Sequence, residues 1–244
     1  MPVLTAEAVT AGYSRVPIIH DVSLTAEAGT ITTILGPNGA GKSTFAKALC
    51  GVLKPMSGRV WVRETEITKL PGHLIPRHGL GYVPQNENVF KRMSVRENLE
   101  VAGFVRAKRD DAKLDEVLAV FPDLQTAEHK PAGQLSGGQQ NMLAMARSLM
   151  IDPVAVILDE PTAGLSPAYT AVVWEQIQRI AASGTAAIVV EQNVEQALSH
   201  ADSVYVLIAG ANYVNGPTAE IAGLDLGAIF LGHTSAKPAT SSTP

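Results

Sequence analysis

A chain of 244 residues with 46% hydrophobic and 17% charged side chains can bury a sizeable core, which excludes a disordered, highly charged polypeptide. A net charge of −4, with no block of Lys or Arg, argues against nucleic acid as the main partner. Cys50 is the only cysteine, so no intrachain disulfide can form, and a reducing compartment is the simple reading.

The opening residues, MPVLTAEAVTAGYS, carry neither a basic stretch nor the apolar run of a secretory signal. Short alternating segments follow through residue 35 (VLTAEAVTAGY, IIHDVSLTA, TITTIL) and predict β structure. ITTIL runs straight into GPNGAGKST and a helical stretch, FAKALCGV. GRVWVRETEI and LGYV at 80–83 are further strand candidates. Residues 94 to 150 read as mainly helical. SVRE is a capping box, with Ser94 as N-cap and Glu97 three residues on. Leu114, Val117, Leu118 and Phe121 follow helical spacing until Pro122 stops the pattern. Another helix begins near Ser136, with Met142, Met145 and Leu149 on one side. VAVIL at 154–158 is unbroken and apolar, as expected of a parallel strand covered on both faces. A helix over about 167–182 and the strand AAIVV repeat the pattern, and SVYVLIAGANYVNG reads as a terminal hairpin. The final residues, 233–244, are small and polar and are expected to be disordered. No apolar run reaches the roughly 18 residues of a membrane helix, so a soluble protein is expected, with any membrane role reached through a partner.

These elements predict an α/β fold in a single domain over 1–232. Its core, at about 1–85 and 153–232, is mainly a parallel sheet with an N-terminal antiparallel β region. A helical subdomain at about 86–152 interrupts it.

GPNGAGKS at 36–43 fits the phosphate-loop pattern G-x-x-x-x-G-K-[S/T], with a strand before it and a helix after it. Gly36, Pro37, Asn38, Gly39, Ala40, Gly41, Lys42, Ser43 and Thr44 are the candidate nucleotide-binding residues. Backbone N–H groups and the positive helix end would face the phosphates, Lys42 would reach the β- and γ-phosphates, and Ser43 would ligate Mg²⁺. Asp159 and Glu160 close the apolar strand. There Asp159 would hold Mg²⁺, usually through water, and Glu160 would polarise the attacking water. QLSGGQQ at 134–140 is harder to place. It looks like part of a phosphate cradle, yet no buried strand runs into it and no Lys follows it.

GPNGAGKST, Gln85 in YVPQ, LSGGQQ and VILDEP, in that order, resemble the ATP-binding-cassette (ABC) ATPases over nearly the whole chain. The resemblance implies a P-loop NTPase core that binds ATP and Mg²⁺. It implies two ATPase subunits packed head to tail, so that Ser136, Gly137, Gly138 and Gln139 complete the partner's ATP site. On that reading the loop lacks a cation because the cation belongs to the partner. Tyr13 would stack on adenine, and Gln85 would approach Mg²⁺ and report on transmembrane partners. Two positions depart from the family pattern. Gln192 stands where a histidine usually contacts the γ-phosphate, and a Gln amide can donate a hydrogen bond but cannot become charged or relay a proton. Ser166 stands where Asp is common. His200, eight residues past Gln192, is not expected to substitute, and the other five histidines (20, 73, 78, 129 and 233) read as surface groups.

EPTAGLSP, VVEQNVEQAL, VPQNENVFKRMSVRENL and the terminal IFLG resemble the ATPases of branched-chain amino-acid importers, with urea and short-amide importers close behind. This implies two permease partners, an indirect link to a substrate-binding protein, a place at the cytoplasmic face of the inner membrane, and commonly a second, different ATPase subunit. Two other classes compete. A soluble ABC protein of DNA repair or translation would usually carry a coiled-coil insertion or a second cassette. A P-loop small-molecule kinase leaves LSGGQQ unexplained.

Overall fold

The computed structural model describes residues 1–86, 88–106 and 111–230, so the tail expected to be disordered and His233 lie outside the described residues. The N-terminal alternation forms two strands longer than expected, β1 (Pro2–Tyr13) and β2 (Val16–Glu27). Register shifts between Ala6 and Val9, and again between Val9 and Ala11, let them stay paired through breaks in strict alternation. β3 (Ile31–Leu35) and the helix α1 (Lys42–Leu49) follow, then β4 (Ser57–Val62), β5 (Thr65–Glu66) and β6 (Leu80–Val83). Helices α2 (Val95–Gly103), α3 (Asp111–Val120), α4 (Pro122–Thr126) and α5 (Gly137–Leu149) occupy the stretch read as helical. Pro122 both ends α3 and starts α4, where its missing N–H costs nothing. The chain closes with β7 (Ala155–Asp159), α6 (Pro167–Ala182), β8 (Ala186–Glu191), α7 (Val194–His200), the hairpin β9 (Ser203–Ile208) and β10 (Ala211–Pro217), and the short α8 (Thr218–Ile221) and α9 (Leu226–Phe230).

Two sheets result among the described residues. One is antiparallel, in the order β2-β1-β4-β5, and the other is ordered β10-β9-β3-β8-β7-β6. In the second, β9, β3, β8, β7 and β6 run parallel, and only β10 is antiparallel to its neighbour. Every residue of β3, β7 and β8 is buried, because alternate side chains enter different layers. Val156, Leu158, Ala187 and Val189 face the cluster formed with α2–α6. Ile34, Ile157, Ile188 and Val190 face the cluster shared with α1 and the antiparallel sheet. Phe45 anchors α1 in that second layer at 1% exposure, and truncating such a residue to Ala costs about 3–5 kcal/mol. The parallel arrangement brings the carboxyl ends of β3, β6, β7 and β8 to one edge. The phosphate loop, Gln85, Asp159–Glu160 and Gln192 follow those four ends.

Candidate active site

The phosphate loop is built around an unprotected helix start. Gly41 caps α1 at φ 92°, a left-handed conformation that other residues rarely adopt. It offers no side-chain cap, and the first turn of α1 carries no acid. A helix start of this kind leaves N–H groups and the positive end of the dipole able to hold an anion. Ile18, Asn38, Gly39, Ala40, Gly41, Lys42, Ser43, Thr44 and Glu160 line a cavity of about 260 Å³ over this start. Lys42 is 5% exposed and folds back on its own loop, donating to Gly36 O at 2.8 Å and Pro37 O at 3.1 Å. Burial lowers the Lys42 pKa, against the pull of Glu160, Asp159 and Glu191. Tyr13 stands at the end of β1 with its ring half exposed, and it is not among the lining residues.

Asp159 is buried at the end of β7 and accepts from Ser43 Oγ at 2.9 Å and Tyr82 OH at 3.3 Å. Burial raises its carboxyl pKa, and the Ser43 bond opposes that. Among the described residues no group of three or more His, Cys, Asp and Glu forms a metal cage. A hydroxyl beside a carboxylate is an all-oxygen donor set that suits Mg²⁺, which keeps waters and shares substrate phosphates.

Glu160 follows in an unusual backbone conformation, φ 50°, held by its N–H donating to Val190 O at 3.0 Å. Both carboxylate oxygens are taken by amides. Gln85 Nε2 donates to Oε2 at 2.7 Å, and Gln192 Nε2 donates to Oε1 at 2.5 Å. The hydrogen bond of Gln85 therefore goes to Glu160 rather than to Asp159. Gln192, placed by the end of β8, meets the same carboxylate. His200 lies elsewhere, stacked on Trp174 with ring centroids 4.6 Å apart. Its Nδ1 is 3.2 Å from Gln178 Nε2. Ser166 caps α6 by accepting from Tyr169 N at 3.4 Å. His20, His73, His78 and His129 are exposed.

The LSGGQQ segment sits at the start of α5. Ser136 is the N-cap: its Oγ accepts from Gln139 N at 3.2 Å, while Gln139 Oε1 accepts from Ser136 N at 3.1 Å. This second capping box has the same spacing as Ser94–Glu97, and sequence reasoning missed it while weighing the segment as a phosphate loop. Gly137 is exposed with open space around it, and Gly138 is buried where any Cβ would lie 2.2 Å from the Tyr169 ring. Among the described residues, Ser136, Gly137, Gly138 and Gln139 do not line the cavity over the chain's own phosphate loop. Sequence reasoning also missed Thr162 and Glu191, which join the segments flanking Glu160 through a bond of 2.6 Å. No spacing rule links them.

Comparison with known proteins gives a consistent answer. Residues 19–163 match the family described as "ABC transporter". The chain is 40% identical over 208 residues to the high-affinity branched-chain amino acid transport ATP-binding protein BraG of Pseudomonas aeruginosa, covering 85% of this chain and 89% of that one. It is 38% identical over 213 residues to the probable branched-chain amino acid transport ATP-binding protein LivF of Archaeoglobus fulgidus, covering 86% and 90%. Among solved structures, the ADP conformation of MJ1267, an ATP-binding cassette of an ABC transporter, superposes with a TM-score of 0.85 at 26% identity, over 95% of this chain and 99% of that one.

Proposed function

The chain belongs to the ABC transporter family of ATP-binding cassettes, and from that premise we propose that it hydrolyses ATP to drive import of branched-chain or other small amino acids. The observation that carries this reading is the convergence of Ser43, Asp159 and Glu160 on the open start of α1. Residues 36–44 would bind the triphosphate, with Lys42 leaving its carbonyl acceptors for the phosphates, and Tyr13 would stack on the base. Ser43 and Asp159, approached by Gln85, would hold Mg²⁺. When bound, that ion neutralises developing phosphate charge. Glu160 would exchange its Gln85 partner for the attacking water. Gln192 would keep one amide N–H on Glu160 and donate the other to the γ-phosphate, without taking up a proton.

The dimer reading follows from the signature segment. Ser136 uses one lone pair on Gln139 N–H and keeps its own proton, so it can still donate to a phosphate held by another subunit. Gly137 leaves the approach open. A head-to-tail pair, homologous or identical, would close around two ATP molecules and open after hydrolysis. We read residues 86–152 as a helical subdomain inserted in the ATPase core. Among the described residues no helix is long and apolar enough to cross a membrane. By likeness to the transport ATP-binding relatives, the proposed place is peripheral, at the cytoplasmic face of the inner membrane, on two permease subunits fed by a substrate-binding protein.

The test is reconstitution of the full chain with co-purified permeases in vesicles. ATP-dependent uptake of labelled leucine or isoleucine supports the reading. Recovery of the chain on ribosomes or DNA, without permeases, would overturn it.

A further inference from the structure

Glu191 is the last residue of β8 and is 4% exposed. A buried carboxylate is costly unless hydrogen bonds compensate it, and a hydrophobic residue would fill the same volume more cheaply. Here the compensation is specific. Oε1 accepts from Thr162 Oγ1 at 2.6 Å and Oε2 accepts from the Gln192 main-chain N–H at 3.2 Å. The Thr162 main-chain N–H adds to this support. Burial nevertheless raises the Glu191 pKa, and the Glu160 charge adds to the rise.

The partners are telling. Thr162 lies two residues past Glu160, and Gln192 is the next residue after Glu191. The segments 160–162 and 190–192 therefore run side by side with three ties: Glu160 N to Val190 O, Thr162 Oγ1 to Glu191, and Gln192 Nε2 to Glu160. The outermost tie uses an exposed glutamine, whose amide must give up side-chain entropy to stay on Glu160. The middle tie ends on Glu191, which is 4% exposed. Glu160, Thr162, Glu191 and Gln192 all line one cleft of about 440 Å³.

We propose that Glu191 is a positioning residue for hydrolysis: its buried carboxylate fixes the main chain at Gln192 and Thr162 and so holds the Gln192 amide on the Glu160 carboxylate. A histidine at 192 would bring its own rigid ring. A glutamine needs its backbone held, and Glu191 holds it. The inference rests on the ATPase reading given above.

The experiment compares steady-state ATP hydrolysis by the co-purified complex carrying Glu191→Gln, Thr162→Val, Gln192→Ala, or Glu191→Gln with Gln192→Ala. Glu191→Gln keeps the volume but turns one acceptor into a donor. It should lower kcat about tenfold, the worth of one charge-assisted hydrogen bond, with KM for ATP unchanged within about twofold. Thr162→Val should give a smaller loss of the same kind. In the Gln192→Ala background, Glu191→Gln should add less than about a twofold loss, because the group it positions is gone. Multiplying losses in the double variant, or a rise in KM with kcat intact, would overturn the inference. If Glu191→Gln does not fold, Thr162→Val paired with Gln192→Ala carries the same comparison. A wild-type complex without ATPase activity would instead overturn the functional reading itself.

Discussion

Ser136 has two demands on one hydroxyl, and substitutions can separate them. Its oxygen caps α5 through Gln139 N–H at 3.2 Å, and in the proposed dimer its proton goes to the partner's γ-phosphate. Ser136→Ala loses both, and the cap alone should cost about 1 kcal/mol, or roughly 2–4 °C in Tm for a chain of this size. Ser136→Asp keeps the cap and adds a charge that the N-terminus of α5 favours, since its first turn has no acid. Tm should therefore stay at or above the wild-type value. The same carboxylate faces the incoming phosphate. Each site loses a charge-assisted bond of about 1.5–3 kcal/mol, so a symmetric dimer loses about 3–6 kcal/mol, or roughly 10²–10⁴ in its dissociation constant. In a mixed dimer only one site suffers, and the loss is about 10–10²-fold. Sedimentation equilibrium with Mg-ATP would measure this, in full-length chains carrying Glu160→Gln to slow hydrolysis and with the second ATPase subunit present if the pair is mixed. ATP affinity below the dimerisation range serves as the control. Ser136→Arg should likewise block ATP-driven closure with monomer affinity nearly intact, at the additional expense of the cap. Wild-type dimerisation by the Asp variant would refute the reasoning. So would a large loss of ATP affinity in its monomer, which would mean the segment serves its own site.

Lys42→Ala should weaken nucleotide binding by about tenfold to a hundredfold, because the ammonium trades two carbonyl acceptors for phosphates and the net is near one strong bond. Calorimetric affinities within about twofold of wild type would count against it. If the chain pairs with a homologue carrying His at the position of Gln192, the His site should be the faster one. Replacing that subunit's base Glu by Gln should then slow single-turnover hydrolysis more than Glu160→Gln does here, and equal losses would remove the asymmetry. Asp159→Asn should raise the thermal stability of the nucleotide-free protein at neutral pH. Burial raises the Asp159 pKa, so the ionised form weighs against the fold above that pKa and ceases to as pH falls through it. The advantage of Asn should shrink as pH is lowered, and unfolding curves showing no advantage at neutral pH would contradict the sign.

Local signals in the sequence carried far. GPNGAGKST, the apolar strand ending in Asp159–Glu160, the Ser94 cap and the terminal hairpin (203–217) each lie within a short stretch of chain, where spacing encodes geometry. The contacts that define the site do not. Gln85 and Glu160 are 75 residues apart, and Gln192 and Glu160 are 32 apart, so their meeting depends on the strand order β3-β8-β7-β6. That order leaves no trace in periodicity. Thr162 and Glu191 were missed for the same reason. Ser166 illustrates a signal read too narrowly: as a departure it looked like a lost Asp, while Ser166–Pro167 is also a helix start, and it caps α6.

The left-handed conformation of Glu160 has a consequence for any library that samples every residue at this position. φ near 50° disfavours most side chains by roughly 1–2 kcal/mol and suits Gly, Asn and Asp best. A selection for folded, nucleotide-free protein should therefore enrich those three and deplete Val, Ile and Thr. A selection for transport should enrich Glu alone. Variant scores at residue 160 would then mix a backbone preference with a chemical one, and only the ratio of the two selections would isolate the chemistry.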